Sequence, residues 1–263
     1  MKLGVTVVLC GLIGLMIGSF LNVVIWRVPR GESVVSPPSH CPGCDAPIAP
    51  RDNIPVVSWL LLRGKCRHCG EPISARYPFV EALTAALFAG TAAWFGPVAQ
   101  LPAYLYLAAV GVALAAIDLD VKRLPDSLTL PSYVVGAALL GVASGVHHNG
   151  WSFARALIGM AALFGFYFTV ALIAPRGMGF GDVKLSGALG LYLAWLGWAQ
   201  LLVGAFAAFL VGSVVSVALV LFAGAGRKTK VPFGPFMIVG ALIGIVAGHP
   251  IAHAYTHLTL HSG

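Results

Sequence analysis

Two carboxylates stand where an apolar chain can least easily keep them. Asp118 closes a run of 17 residues without charge, Leu101 to Ile117. Asp182 lies in the glycine-rich string GMGFGDVK, residues 177–184, directly before another apolar run. A carboxylate at a membrane boundary is costly unless it is solvated, paired or used, so each is a functional candidate. Two such acids can share one water: the ionised member takes its proton while the protonated member polarises a carbonyl. That is the chemistry of an aspartyl hydrolase at a membrane surface. Gly179 and Gly181 leave the backbone bare beside Asp182, so an extended peptide could lie close to the carboxylate.

Plainer roles compete for some of these acids. Asp182 also suits the N-cap of a helix starting at Val183, and Asp126, after Pro125, reads as the N-cap of the next helix. Asp118 has no such role, because at the end of a helix it meets the negative pole of the dipole. On that asymmetry Asp118 would carry the shared proton and Asp182 would act as the base, although such a pair titrates jointly.

The elements that must hold these acids are membrane helices. Hydrophobic residues make up 59% of the chain and charged residues 10%, with a mean hydropathy of +0.90. A hydrocarbon core of about 30 Å needs roughly 20 apolar residues per helix. Eight runs approach this: 3–26, 79–95, 101–117, 127–146, 155–174, 183–198, 200–223 and 233–252. None alternates in the manner of a membrane barrel, so helices are expected. The fold class predicted is an all-α integral membrane protein of about eight transmembrane helices, with a small cytoplasmic zinc-binding loop domain between the first two. Its organisation would be a first helix at 1–26, a cytoplasmic four-cysteine domain at 27–78, a seven-helix membrane domain at 79–252 and a tail at 253–263. Residues 1–26 read as a retained anchor, since no small-residue cleavage pattern follows the run. Glycines at 11, 14 and 18, at 187 and 190, and at 204 and 212, with Ala208, are expected to bring helix backbones close.

The net charge of +7 could suggest nucleic acid, but its distribution excludes that reading. With residues 27–78 in the cytoplasm and sides alternating along the spans, 14 of the 16 basic residues are cytoplasmic, including Arg176, Arg227, Lys228 and Lys230. Only Lys2 and Arg155 fall outside. This is the positive-inside bias, and it puts Asp118 and Asp182 on the same face.

Four of the five cysteines form Cys41-Pro-Gly-Cys44 and Cys66-Arg-His-Cys69, separated by 21 residues. Each CxxC can put two thiolates on one ion, and two such knuckles complete a tetrahedral zinc site. Gly43 and Gly70 are expected to supply the tight turns. Disulfides or redox chemistry are the alternatives; a cytoplasmic loop, where thiols stay reduced, favours zinc. His40 and His68 are expected to stand aside.

These motifs together resemble those of the bacterial type IV prepilin peptidases, bifunctional leader peptidases and N-methyltransferases. The resemblance rests on GSFLNVVIWRVPRGES (18–33), the two knuckles, ISARYPFVEALTA (73–85), IDLDVKRLPDSLTLP (117–131) and GMGFGDVK, in family order. It implies catalytic aspartates at Asp118 and Asp182, zinc at Cys41, Cys44, Cys66 and Cys69, and S-adenosylmethionine as methyl donor. It also implies an inner-membrane location and prepilin or pseudopilin substrates, cut after a glycine and methylated on the new N-terminal residue. Asp120, Asp126 and Lys184 match family positions of unassigned role. No glycine-rich nucleotide-binding string follows a predicted strand, so the residues holding the methyl donor stay unassigned. Glu81, the acid inside the apolar run that begins at 79, could hold an amine or the donor, or could pair with Arg76.

Two other functions fit the composition: a proton-coupled transporter and a zinc-bearing scaffold of a secretion machine. Separately, His249, His253, His257 and His261 recur every four residues and would share one helical face. With His147 and His148 they could form a metal-binding surface, although Pro250 is expected to interrupt the first step.

Overall fold

The computed structural model describes residues 2–174, 178–222 and 231–260, with the side chains of 258–260 excluded. Arg176, Gly177, Arg227, Lys228, Lys230 and His261, named above, lie outside this set. Among the described residues the structure is all-helical. The α-helices are α1 (Leu3–Arg27), α2 (Val57–Leu61), α3 (Arg76–Phe95), α4 (Leu101–Val121), α5 (Asp126–Val146), α6 (Gly150–Ile173), α7 (Phe180–Leu196), α8 (Trp198–Phe222) and α9 (Gly234–Leu260). Seven of them, α1, α3, α4, α5, α6, α8 and α9, are long and apolar enough to cross a membrane. This is a multi-pass membrane protein. Helices are what lipid demands, because each backbone N–H and C=O finds its partner within the same segment.

The chain divides into two compact units, Met1–Ala113 and Leu114–Gly263, with the boundary inside α4. In the first unit α1 packs along α3. The contact uses the predicted small residues: a Cβ on Gly14 would lie 2.7 Å from Ala85 Cα, and one on Gly18 would lie 2.7 Å from Glu81 Cα. Such approach maximises dispersion contact where apolar burial alone gives no drive. Cys10, Phe88, Ala92, Leu101 and Ala108 form the buried cluster beside it. Asn22 Nδ2 donates to the Tyr77 carbonyl at 3.1 Å, tying the two helices at their loop end. The buried Arg27 guanidinium donates to Ser33 O at 2.9 Å and Pro37 O at 2.7 Å, folding the exit from α1 back on itself.

The second unit is organised around α7. The sequence run 183–198 becomes a helix of 17 residues, about 25 Å at 1.5 Å per residue, shorter than its neighbours. Nearly every residue from Val183 to Trp195 is buried, against α5, α6, α8 and α9. Arg155 of α6 closes the far end: its Nε donates to Ala194 O at 2.5 Å and its Nη2 to Trp195 O at 2.6 Å. A cation on the last carbonyls satisfies orphan acceptors and complements the dipole. Backbone contact again relies on glycine, since a Cβ on Gly240 of α9 would lie 2.6 Å from Ala208 N of α8.

Candidate active site

Asp118 occupies the last turn of α4 and is 5% exposed. Its Oδ2 accepts the Gly234 N–H at 3.0 Å. Gly234 is the first residue of α9, so the carboxylate faces a helix N-terminus, where backbone N–H groups and the dipole favour negative charge. The negative pole of α4, expected from the sequence to act alone on Asp118, is therefore opposed by α9. Asp182 also sits at a helix start. Helix α7 begins at Phe180, three residues before the expected start, and Asp182 Oδ2 accepts the Gly179 N–H at 3.1 Å. The capping role is thus partly filled, by a half capping box. Both acids rest on helix starts, so dipoles do not separate their roles.

The two carboxylates lie within electrostatic reach of each other. Leu124, in the turn after α4, joins their surroundings. A Cβ on Gly181 would lie 3.1 Å from Leu124 Cβ, and one on Gly234 would lie 3.3 Å from Leu124 Cδ2. Gly234 was not legible as a site residue. In the string PFGPF, residues 232–236, it carries no chemistry of its own; only packing gives it a role. A Cβ there would lie 2.8 Å from Asp118 Oδ2. Gly234→Val is expected to displace the carboxylate and slow the reaction of the acid pair by about 100-fold, as ångström-scale misplacement does. A thermal melt close to wild type alongside that loss would separate misplacement from unfolding, and wild-type turnover would contradict the contact.

Asp126 does something other than the predicted capping. Helix α5 has Pro125 as its N-cap and Asp126 as its first residue. Its carboxylate holds Lys184 Nζ at 2.7 and 2.8 Å. Because Asp126 is more than half exposed, the pair contributes about 0–1 kcal/mol. Its effect is to register the start of α5 on the first turns of α7, beside Asp182. Asp120 lies exposed at the end of α4.

The cysteines converge in the first unit. Ligand atoms of Cys41, Cys44, Cys66 and Cys69 all lie within 4.8 Å of one another, and no other such group of three or more ligands occurs among the described residues. Cys41 Sγ and Cys69 Sγ are 3.7 Å apart, close to the roughly 3.8 Å expected between thiolates at 2.3 Å from a tetrahedral ion. All four are free thiols, so the disulfide alternative is not realised. N–H groups of Cys69 and His68 hold the Cys66 thiol down at about 6, while Cys69, against a backbone hydrogen bond at Glu71 that lowers it, is pushed up to about 12 by burial and the neighbouring thiols.

The two knuckles turn out to be one motif used twice. Antiparallel bridges join His40 to Pro47 and Lys65 to Pro72. Cys41 N donates to Ala46 O at 3.0 Å and Cys66 N to Glu71 O at 2.8 Å. The residue after each second cysteine turns left-handed, Asp45 at φ +54° and Gly70 at φ +74°. Gly43 lies in the turn 42–44, as expected, while the left-handed position of that knuckle falls on Asp45, an aspartate being among the few residues that tolerate this conformation. Gly43 also receives Glu71, whose Cγ would lie 3.2 Å from an added Cβ. Arg67 clasps Asp52 at 2.6–3.1 Å, and that guanidinium holds the Asp52 carboxyl below its ordinary range. The contribution of this pair is present at neutral pH and is lost as pH falls through the depressed value.

Glu81 is buried in α3. Its Oε2 accepts the Val56 N–H at 2.7 Å, and Ser19 also hydrogen-bonds it. No charged group is among those acting on it, so the pairing with Arg76 considered above is not what holds it. Around it lies a cavity of about 920 Å³, lined by residues of α1, both knuckles and α3.

The histidine tail is helical. Helix α9 continues through Pro250, which therefore does not interrupt the histidine face. Rings of His249 and His253 are 6.3 Å apart, and those of His253 and His257 are 4.6 Å apart. They are exposed and belong to no three-ligand group among the described residues.

Two family models match this chain, one after the other along the sequence. Residues 12–95 match the Bacterial Peptidase A24 N-terminal domain, and residues 105–217 match the Type IV leader peptidase family. The chain is 40% identical to the Prepilin leader peptidase/N-methyltransferase of Aeromonas hydrophila, over 93% of this chain and 91% of the relative. It is 36% identical to the protein of that name from Stutzerimonas stutzeri, over 94% and 93%. For the Pseudomonas aeruginosa PAO1 protein the figure is 35%, over 94% and 93%. No solved structure matches the chain significantly. Two family matches in sequence order and relatives aligned almost end to end place this chain in the type IV leader peptidase family.

Proposed function

We propose that the chain is a membrane aspartyl endopeptidase that removes the leader of type IV prepilins and pseudopilins after a glycine, at the cytoplasmic face of the inner membrane, and then N-methylates the new N-terminal residue. The observation that carries the peptidase half is the convergence of Asp118 and Asp182. Both are seated on helix N-termini, within electrostatic reach of each other, beside one turn. Asp118 and Asp182 are the catalytic residues. One carboxylate, ionised, takes the proton of the shared water; the other, protonated, donates to the scissile carbonyl oxygen as the tetrahedral centre forms. Proton return to the leaving nitrogen then breaks the C–N bond. A prepilin is an apolar helix with a charged tail, and its scissile bond must leave the helix before attack, because helical carbonyls are occupied. Gly179, exposed beside Asp182, leaves room for that extended strand.

The four-cysteine cluster is assigned structural zinc. Four sulfurs at these separations suit a closed tetrahedral site, and a loop without a large core of its own needs such a staple. S-adenosylmethionine is the methyl donor and, when bound, supplies an electrophilic methyl on its sulfonium sulfur. The cavity beside Glu81 fits such a molecule: at about 920 Å³ it lies within the roughly 300–1,000 Å³ of small-molecule sites. Residues 27–78 and both aspartates face the cytoplasm, with 79–252 forming the membrane peptidase domain. The transporter and scaffold readings receive no support from these relatives, which carry the peptidase/methyltransferase name. Incubation of the purified chain with a prepilin in detergent tests the proposal. Shortening after the glycine, then a gain of one methyl mass with donor present, is the expected result; an intact precursor would overturn it.

A further inference from the structure

We propose that the cavity around Glu81 is the methyl-transfer site, and that Glu81 is the residue that receives the α-ammonium of the cleaved substrate and takes its proton. The inference rests on the methyltransferase reading above and deepens it.

Three of the strings that carry the family resemblance converge on this cavity. Ser19, Asn22 and Arg27 come from the first, Cys41 and Cys66 from the knuckles, and Tyr77 and Glu81 from the third. Glu81 is the buried carboxylate among the cavity-lining residues. It is held by two neutral donors, and among the described residues no cation acts on it. A buried carboxylate without a counter-charge is expensive, so the site is complementary to a cationic guest. Backbone strain singles out the same point. Val56, a β-branched residue, has φ +62° and ψ −48°, and Val57 N donates to Pro55 O at 2.6 Å. This is the rare, strained γ-turn, and it aims the Val56 N–H at Glu81 Oε2. Strain of this kind persists where surroundings over-determine it, typically at ligand clamps. Gly18 lets α1 run against the Glu81 backbone, which fixes the carboxylate from the other side.

The methyl donor carries an α-ammonium of its own, but only the peptide's α-nitrogen must shed a proton before it is methylated, so the peptide amine is the guest assigned to Glu81. The chemistry balances. Glu81 accepts one proton from the ammonium, freeing the nitrogen lone pair. The N–CH3 bond forms as the S–CH3 bond breaks, leaving a neutral sulfide. The methylated amine sheds its remaining excess proton to solvent or keeps it as an ammonium.

Glu81→Gln separates this from other roles. Leader cleavage, zinc content and S-adenosylmethionine binding by titration calorimetry are expected to stay within about twofold of wild type. Methylation of a pre-cleaved substrate is expected to fall by at least about 100-fold and to lose its rise with pH. Glu81→Asp, which keeps a carboxylate, is expected to recover part of the rate. Retained methylation, or its loss together with donor binding, would overturn the proposal. The wild-type protein gives an independent test that no folding defect can blur. A peptide of the mature N-terminal sequence is expected to inhibit methylation, and its Nα-acetyl form to inhibit at least about tenfold less well; equal inhibition would overturn the assignment. Absence of leader cleavage by the wild type would instead defeat the underlying functional reading.

Discussion

Asp118→Asn and Asp182→Asn are each expected to lower leader cleavage by about 10³-fold, with the double variant no slower than either single one. General acid–base steps contribute about 10²–10⁴-fold each, and residues that act as a unit lose most of their effect at the first substitution. Asparagine keeps size and hydrogen-bonding capacity, so the packing around Gly234 and Gly179 is retained while the proton is not. The readout is single-turnover cleavage of a prepilin followed on gels, with a thermal melt to confirm that α7 and α9 stay in place. Multiplicative losses in the double variant would mean two independent sites. Near-normal cleavage by Asp118→Asn would remove it as a proton donor.

Serine at Cys41, Cys44, Cys66 or Cys69, or stripping of the metal by a chelator, is expected to abolish zinc binding and unfold residues 27–75. Structural zinc contributes roughly 10–16 kcal/mol in small zinc domains. Here the segment's other restraints are small: two short bridges, 3₁₀ turns at Val28–Arg30 and Pro50–Asp52, the five-residue α2, the Arg67–Asp52 clasp and the hydrogen bonds of Arg27 and Val56. Trypsin should then cut at Arg51, Arg63, Lys65 or Arg67, sites protected in the metal-loaded protein. Methyl transfer should fall at least about tenfold in step, because Cys41 and Cys66 line the Glu81 cavity and their displacement opens it to water. Leader cleavage should fall less, since Asp118 and Asp182 belong to the other compact unit. Full zinc occupancy in a single-cysteine variant, or unchanged protease resistance after chelation, would contradict this account.

The residues that carry chemistry were legible because their types are costly where they stand. Carboxylates at the ends of apolar runs and paired CxxC strings announce themselves by composition and spacing. What they touch was not legible. Gly234 enters the site only because the start of α9 lands on the end of α4, a contact across 116 positions of sequence. That contact also cancelled the dipole argument for the roles of Asp118 and Asp182. The neighbouring Pro125 suggests a cap at Asp126, yet Lys184, 58 positions away, claims its carboxylate. Local preference lost to a distant cation. The knuckle repeat is hard to read from the sequence because it spans eight residues and its left-handed position is aspartate in one copy and glycine in the other. Soluble-protein rules make Pro250 a breaker, whereas the α9 helix absorbs it, as membrane helices often do. The cavity at Glu81 depends on a γ-turn that no residue preference predicts.

The pH dependence of kcat/KM for leader cleavage tests the shared-water account most directly. A pair holding one proton between two carboxylates works only in its singly protonated form, so the profile should be bell-shaped. Its acid limb should report the ionisation that creates the base, and its alkaline limb the loss of the remaining proton. In Asp118→Asn or Asp182→Asn the residual rate should lose that shape. A wild-type profile that is flat, or that has one limb alone across the range where the protein stays folded, would contradict the central claim.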